Sequence, residues 1–182
     1  MYNIGLLIYN GNAGSVDTAQ VGTVLGILSA ELPELIVRRT SKPGEAKKIC
    51  REYGEKVDVV YILGGDGTVH ECMNGLADLE HPPVIGVLPG GTCNDFSRAL
   101  GMPQQLSRAA EVLNERNTRT IDIGTANGHF FTNFYGIGLI SETSQNINSD
   151  IKGAFGKIGY FLSTLQTVRT AEQFSFELEH DE

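Results

Sequence analysis

Cysteine is scarce and unpatterned in this 182-residue chain: Cys50, Cys72 and Cys93 form an odd set without C-x-x-C spacing. That argues against a disulfide framework or a paired-cysteine motif and points to inert free thiols in a reducing compartment. Positive charge is also in short supply, with 14 basic residues against 22 acidic ones for a net charge of −8. The deficit argues against extended nucleic-acid binding and against simple electrostatic adhesion to anionic lipid, while leaving room for a local basic patch. No apolar run is long enough to span a bilayer, and the start Met1-Tyr2-Asn3-Ile4 lacks the basic segment of a signal peptide. The expectation is a cytoplasmic protein. Internal repeats and low-complexity segments are missing too, and with 41% hydrophobic and 20% charged residues the chain reads as one globular domain, or one domain and part of a second.

What is present centres on Val57 to Glu71, where a β-branched apolar run passes through Gly64-Gly65-Asp66-Gly67 into a helical pattern carrying Val69, Cys72, Met73 and Leu76 on one face. Strand, glycine turn and helix in that order suit phosphate: glycines permit positive φ and close approach, and a helix start offers unpaired N–H groups and a positive dipole end. The competing reading is that Asp66 and Thr68 simply cap the helix and the glycines serve packing. Familiar phosphate motifs do not fit, since there is neither a Lys-Ser/Thr pair nor G-x-G-x-x-G spacing. An acid among phosphate-binding glycines makes chemical sense beside a divalent cation. His70-Glu71 is not the start of H-E-x-x-H, because Asn74 holds the second histidine position.

Taken in order, Ile4 to Tyr9 reads as a buried strand ending in Asn10-Gly11-Asn12-Ala13-Gly14. Val16 to Leu32 reads as a helix weakened by Gly22 and Gly26, with Asp17 in its first turn. Leu35 to Val37 is a second strand leading to Thr40, and Ser41 opens a helix through about Tyr53. After the central strand, turn and helix comes a fourth strand, Val84 to Leu88, which enters Pro89-Gly90-Gly91-Thr92-Cys93-Asn94-Asp95 and a short helix. A helix from Pro103 to Arg116 follows. Strands separated by helices imply a parallel sheet with right-handed crossovers, an α/β fold with helices on both faces and ligands at the carboxyl ends of the strands. All the glycine turns and Thr40 fall on that one edge. Near Arg119 the pattern changes to antiparallel strands joined at Ala126-Asn127-Gly128, so residues 1–118 are expected to form an α/β domain and 119–182 part of a β-rich one. A helix over Lys152 to Thr170 and a strand over Phe174 to Glu179 complete the expectation, and the lone last strand suggests a truncated chain.

Gly64-Gly65-Asp66-Gly67-Thr68 followed by Pro89-Gly90-Gly91-Thr92-Cys93-Asn94-Asp95-Phe96-Ser97-Arg98 resembles the diacylglycerol kinase catalytic domain family, which includes bacterial lipid kinases and the sphingosine kinases. The first motif is shared with NAD kinases; the second is much more specific. Gly11 stands where the family usually has proline and His70 where asparagine is common. Thr40 with Gly44-Glu45-Ala46, Glu71 with Asn74-Gly75-Leu76, Asp122, and Asn133 with Gly136 and Gly138 also look like family positions.

The resemblance implies that ATP is held by Asn10, Gly11, Asn12, Ala13, Gly14, Thr40, Gly65, Asp66, Gly67, Thr68, Val69, His70, Glu71 and Thr92. It further implies that Asp66 and Asp95 join a water-linked network around Mg²⁺ without ligating it directly. The implied reaction moves the γ-phosphoryl group of ATP to a lipid hydroxyl, diacylglycerol-like, at a membrane surface touched only peripherally, for which the stretch Ile151 to Leu165 is a candidate. The catalytic base belongs, in this family, to a later part of the second domain, so this chain is expected to lack it. An NAD-kinase-like phosphotransferase and a non-catalytic nucleotide-binding module stay open as alternatives, as does homodimerisation. No nucleic-acid partner is expected.

Overall fold

A computed structural model describes residues 2–11 and 16–133. Four strands, β1 (Ile4–Asn10), β2 (Glu34–Thr40), β3 (Val59–Gly64) and β4 (Val84–Pro89), pair in parallel in the order β2-β1-β3-β4. Their carboxyl ends are aligned by register, Asn10 opposite Thr40 and Gly64 opposite Pro89. β3 is buried on both faces along its whole length, as its continuous apolar sequence requires, because a central parallel strand has no solvent side.

Among the described residues five α-helices surround this sheet: α1 (Thr18–Ser29), α2 (Glu45–Tyr53), α3 (Asp66–Leu76), α4 (Asp95–Ala99) and α5 (Leu106–Asn114). The strand period of two sorts the core into two layers. Leu7, Val59, Tyr61, Leu63 and Leu88 meet Val21, Val24 and Leu28 of α1 and Ala109 and Ala110 of α5. Leu6, Ile8, Val60, Ile62 and Val87 meet Ala46 and Cys50 of α2 and Val69, Cys72 and Leu76 of α3 on the opposite face. Each fully buried Leu or Ile contributes about 1.5–3 kcal/mol of burial to this three-layer arrangement. The α/β fold with helices on both faces is as expected.

Several element bounds differ from the sequence expectation. α1 begins at Thr18, because Asp17 serves as its N-cap: Asp17 Oδ1 accepts from Gln20 N at 2.8 Å while Gln20 Oε1 accepts from Asp17 N at 2.9 Å. Ser41 does not open α2. Gly44, at φ +81°, is the N-cap, and the Glu45 carboxylate reaches back to accept from Ser41 N at 2.7 Å and Lys42 N at 3.1 Å. Those two backbone donors hold the Glu45 carboxyl below its usual range. α5 starts at Leu106, three residues past Pro103. Residues 119–123 are irregular, and the antiparallel pairing is confined to β5 (Gly124–Ala126) and β6 (His129–Phe131). Asn127 and Gly128 between them both take positive φ, 50° and 75°, the primed-turn geometry that matches strand twist.

Contacts divide the chain into two compact units, residues 1–134 and 135–182. The hairpin β5–β6 lies in the first, seated on α3. Expectations for Asn12, Ala13 and Gly14, the helix over 152–170, the strand over 174–179 and the membrane-contact stretch 151–165 lie outside the described residues. Among the described residues no helix is long and apolar enough to cross a membrane.

Candidate functional site

The carboxyl edge of the sheet is built in two halves. On one side Gly11 N donates to Thr40 O at 2.9 Å, and the buried Thr40 hydroxyl donates to Tyr9 O at 3.3 Å, so β1 and β2 leave the sheet stitched together. On the other side Gly90 N donates to Gly64 O at 2.9 Å, extending the β3–β4 ladder one step into the loops.

Beyond that bond the loops touch. A methyl group on Gly91 would lie 2.5 Å from Gly65 Cα, and one on Gly65 would lie 3.1 Å from Gly91 Cα. Positive φ is not the reason for these glycines, contrary to the expectation from the turn alone: Gly65 has φ −87°, and among described glycines only Gly44, Gly101 and Gly128 are left-handed. They are glycine because two backbones approach within the radius of a side chain.

Asp66 exploits that proximity. It is the first residue of α3, and no side chain caps this helix, so the reading of Asp66 or Thr68 as its cap is overturned. Instead Asp66 Oδ1 accepts from Phe96 N, in the first turn of α4, at 3.1 Å. One carboxylate therefore starts one helix and caps another. α4 needs this help because its own N-cap, Asn94, is occupied elsewhere. Asn94 sits at φ 54° and ψ 41°, its Oδ1 accepting from Gly91 N at 2.7 Å and its Nδ2 donating to Gly91 O at 2.9 Å. That reciprocal pair folds the Gly91–Asn94 loop into a closed ring. Ser97 Oγ donates to Asn94 O at 3.0 Å, and Arg98 Nε to Cys93 O at 2.9 Å. Arg98 thus braces the loop through its backbone.

The expected site residues separate clearly. Asp66, Asp95 and Thr92 converge on the paired loops, with Thr92 and Asp95 exposed and Asp66 partly so. Gly67 is exposed in the uncapped first turn of α3, whose N–H groups have no side-chain acceptor. Thr68 packs over Gly64, where an added methyl would meet Thr68 Cβ at 2.6 Å. Val69 is 2% exposed and faces the core, so only its backbone is available to a ligand. His70 is exposed and Glu71 partly buried further along the helix. Asn10, Gly11 and Thr40 form the β1–β2 half. Cys93 is exposed, whereas Cys50 and Cys72 are buried between α2 and α3, where a hydrogen bond donated by the Cys72 thiol to Cys50, together with burial, pushes the Cys72 thiol well up.

Two asparagines carry more structure than residue type alone suggests. Asn94 is one. Asn74 is the other: its Nδ2 donates to Phe130 O at 2.8 Å and to His70 O at 3.0 Å, and its Oδ1 accepts from Phe130 N at 3.0 Å. Both stand among the residues that carry the family resemblance, and the remaining signal in the chain for either was a polar residue inside an otherwise apolar or glycine-rich pattern. Apart from the glycine edge, an apolar cleft of ≈630 Å³ runs beside β4, walled by Met73, Val87, Phe96, Leu100 and Ile123 among others. None of the loop glycines lines it.

An open parallel α/β sheet whose β3 and β4 loops interlock at the carboxyl edge makes this an α/β domain of the class in which ligands are held outside the strand ends. The chain belongs to the diacylglycerol kinase catalytic domain family, whose model matches residues 5–126. It is 36% identical, over its whole length, to a candidate lipid kinase of Staphylococcus haemolyticus, and 35% identical to candidate lipid kinases of Staphylococcus aureus. It spans about three fifths of the length of these curated relatives, 61% in each case. A crystal structure of a candidate diacylglycerol kinase from Bacillus anthracis superposes with a TM-score of 0.80 at 46% identity, covering 94% of this chain and 57% of that one. A second, described as a diacylglycerol kinase of the same organism, gives 0.77 at 42% identity, covering 91% and 55%.

Proposed function

We propose that the chain is the nucleotide-binding part of an ATP-dependent lipid kinase that transfers the γ-phosphoryl group to a lipid hydroxyl, diacylglycerol-like in class. The observation that carries this reading is the Asp66 bridge. A carboxylate held between two glycine loops, beside the uncapped start of α3, supplies negative charge for a cation and N–H groups for phosphate within one small surface.

The residues fit such a ligand. Asp66 has one oxygen engaged by Phe96 N, which fixes the carboxylate's direction, and Asp95 follows on the neighbouring helix start. Mg²⁺ retains several waters when bound, so two carboxylates acting through water, with phosphate oxygens completing the shell, are a reasonable set. When bound, the cation would neutralise charge on the transferring phosphoryl group. The work of this chain is positional: the glycine contact lets phosphate oxygens approach backbone N–H groups, and the Asn94 ring holds Asp95 at the edge. The base that accepts the hydroxyl proton is assigned to the later part of the family's second domain.

Two measurements test the reading. Mg·ADP should raise the melting temperature of the 182-residue chain, and Asp66→Ala should abolish the rise. Labelled phosphate from ATP should appear in diacylglycerol in mixed micelles when the chain is carried on to the length of its relatives, and not in NAD offered in parallel. Label in NAD would transfer the assignment to a soluble-substrate kinase, and nucleotide binding without transfer to either would leave a binding module.

A further inference from the structure

In an open parallel sheet the ligand crevice lies where neighbouring strands send their chains to opposite faces. Here that point falls between β1 and β3, the middle pair of the order β2-β1-β3-β4. β1 leads through α1 to β2 at one end of the sheet, and β3 leads through α3 to β4 at the other. α1 packs on the face of Leu7 and Leu63 and α3 on the face of Leu6 and Ile62, so the two chain paths diverge beyond Gly11 and Gly65. The β3 wall of this crevice is acidic, with Asp66 at the uncapped start of α3.

The β1 wall carries a cation. Arg39 stands one residue before the end of β2, opposite Tyr9 of β1, and is exposed. Its neighbour Arg38 projects to the α2 face, where its guanidinium lies 4.8 Å from the centre of the Tyr53 ring. Strand alternation sends Arg39 the other way, and its side chain crosses the end of β1. Nη2 donates to Gly11 O at 3.4 Å, and a methyl group on Gly11 would meet Cζ and Nη2 at 2.7 Å and Nε closer still. Gly11 is not one of the left-handed glycines. What its missing side chain supplies is room, and the Arg39 guanidinium fills it. The ion pairs among the described residues, Arg108–Glu111 and Arg116–Glu31, do not involve Arg39, which leaves its charge and its remaining N–H donors for a ligand.

We propose that Arg39 binds the polyphosphate of the nucleotide, its guanidinium held in the space that Gly11 leaves open on the β1 wall of the crevice. The inference deepens the nucleotide reading and rests on it. Charge favours phosphate as the partner: a nucleoside diphosphate or triphosphate carries more negative charge than one divalent cation cancels, and Asp66 and Asp95 add to the excess. Shape favours it too, because a planar guanidinium meets two phosphate oxygens at once, as an ammonium does not. The span also fits. Adjacent strands lie about 5 Å apart, so a cation over the end of β1 and the N–H groups at the start of α3 face the same phosphates.

The test is calorimetric titration of the 182-residue protein and its variants with Mg·ADP and, separately, with magnesium pyrophosphate. Arg39→Ala should weaken both ligands about tenfold or more, and Arg39→Lys should recover only part of the loss. Gly11→Ala should weaken both as well, because the added methyl displaces a flexible side chain and no backbone, evicting the guanidinium while the fold stands. Unliganded melting temperatures close to the parent's establish that the fold is intact. The double variant G11A/R39A should lose no more than the more severe single variant, since both substitutions remove one interaction. Arg51→Ala, in the last turn of α2, should bind like the parent. Unchanged Mg·ADP affinity in Arg39→Ala, full additivity in the double variant, or equal loss from Arg51→Ala would overturn the proposal. So would a loss of ADP affinity that spares pyrophosphate, which would move the guanidinium to the base. A parent that fails to bind Mg·ADP would overturn the nucleotide reading along with this one, whereas parental binding that Arg39→Ala leaves unchanged would overturn this one alone.

Discussion

One absent methyl group lets the two loops of the candidate site meet. Gly91→Ala would place a carbon 2.5 Å from Gly65 Cα, against backbone that has no rotamer to yield. The expected outcome is a loss of about 1–3 kcal/mol of stability, the usual cost of forcing an atom into packed surroundings. Mg·ADP binding should fall by more than the destabilisation alone implies, because the Asp66–Phe96 bridge depends on the same approach. Chemical denaturation and calorimetric titration on one preparation separate the two effects. Binding that survives unchanged would show that loop contact and ligand capture are independent. Asn94 belongs to the same residue-scale logic: a left-handed asparagine whose amide closes on Gly91 holds the loop by two bonds that no other side chain of that length reproduces.

At the scale of elements, the hairpin β5–β6 is too short to persist alone, with three residues in each strand. Its attachment to α3 is Asn74, which mimics a neighbouring strand by donating to Phe130 O and accepting from Phe130 N. Asn74→Ala strands both groups of Phe130 in a partly buried place, and about 1–3 kcal/mol should be lost. Hydrogen exchange should localise the effect: amides of residues 124–131 should lose protection, while those of β3 keep theirs. Uniform loss of protection across the sheet would mean that the hairpin is part of the global folding unit, and the attachment account would fail. The hairpin was legible from Asn127-Gly128 between apolar residues, whereas the longer strand expected over 119–123 was not realised. Those residues run past the apolar cleft beside β4 without a backbone partner strand among the described residues.

For the molecule as a whole, the end of the sheet opposite the candidate site is held by Asp58. Its carboxylate accepts from Ile4 N at 3.0 Å and Asn3 N at 2.6 Å, while its backbone joins β1 to β4 through Ile4 O and Val84 N. The backbone donors Ile4 and Asn3 hold the Asp58 carboxyl below the ordinary aspartate range. A carboxyl that titrates lower folded than unfolded contributes stability that is complete above the unfolded value, about pH 4, and is lost as pH falls through the folded value. The stability gap between the parent and Asp58→Ala should therefore be full at neutral pH and shrink progressively below about pH 4. Urea midpoints at several pH values measure it. A gap that is flat through the acid range would assign the effect of the substitution to packing.

The layered fold was largely legible before any coordinates, because apolar strands of period two and helices of period 3.6 dictate which faces are buried, and parallel order puts every strand end on one edge. Val57 to Glu71 and Pro89 to Arg98 announced themselves as strand, glycine loop and helix from local composition alone. What tertiary structure decided was the purpose of the residues inside those loops. Gly65 and Gly91 could only be recognised as a contact pair once β3 and β4 were neighbours. Asp66 could only be recognised as the cap of α4 once residues thirty positions apart shared a hydrogen bond. Both are contacts between residues far apart in the chain, and packing and hydrogen bonds depend on distance in space, which local composition does not encode.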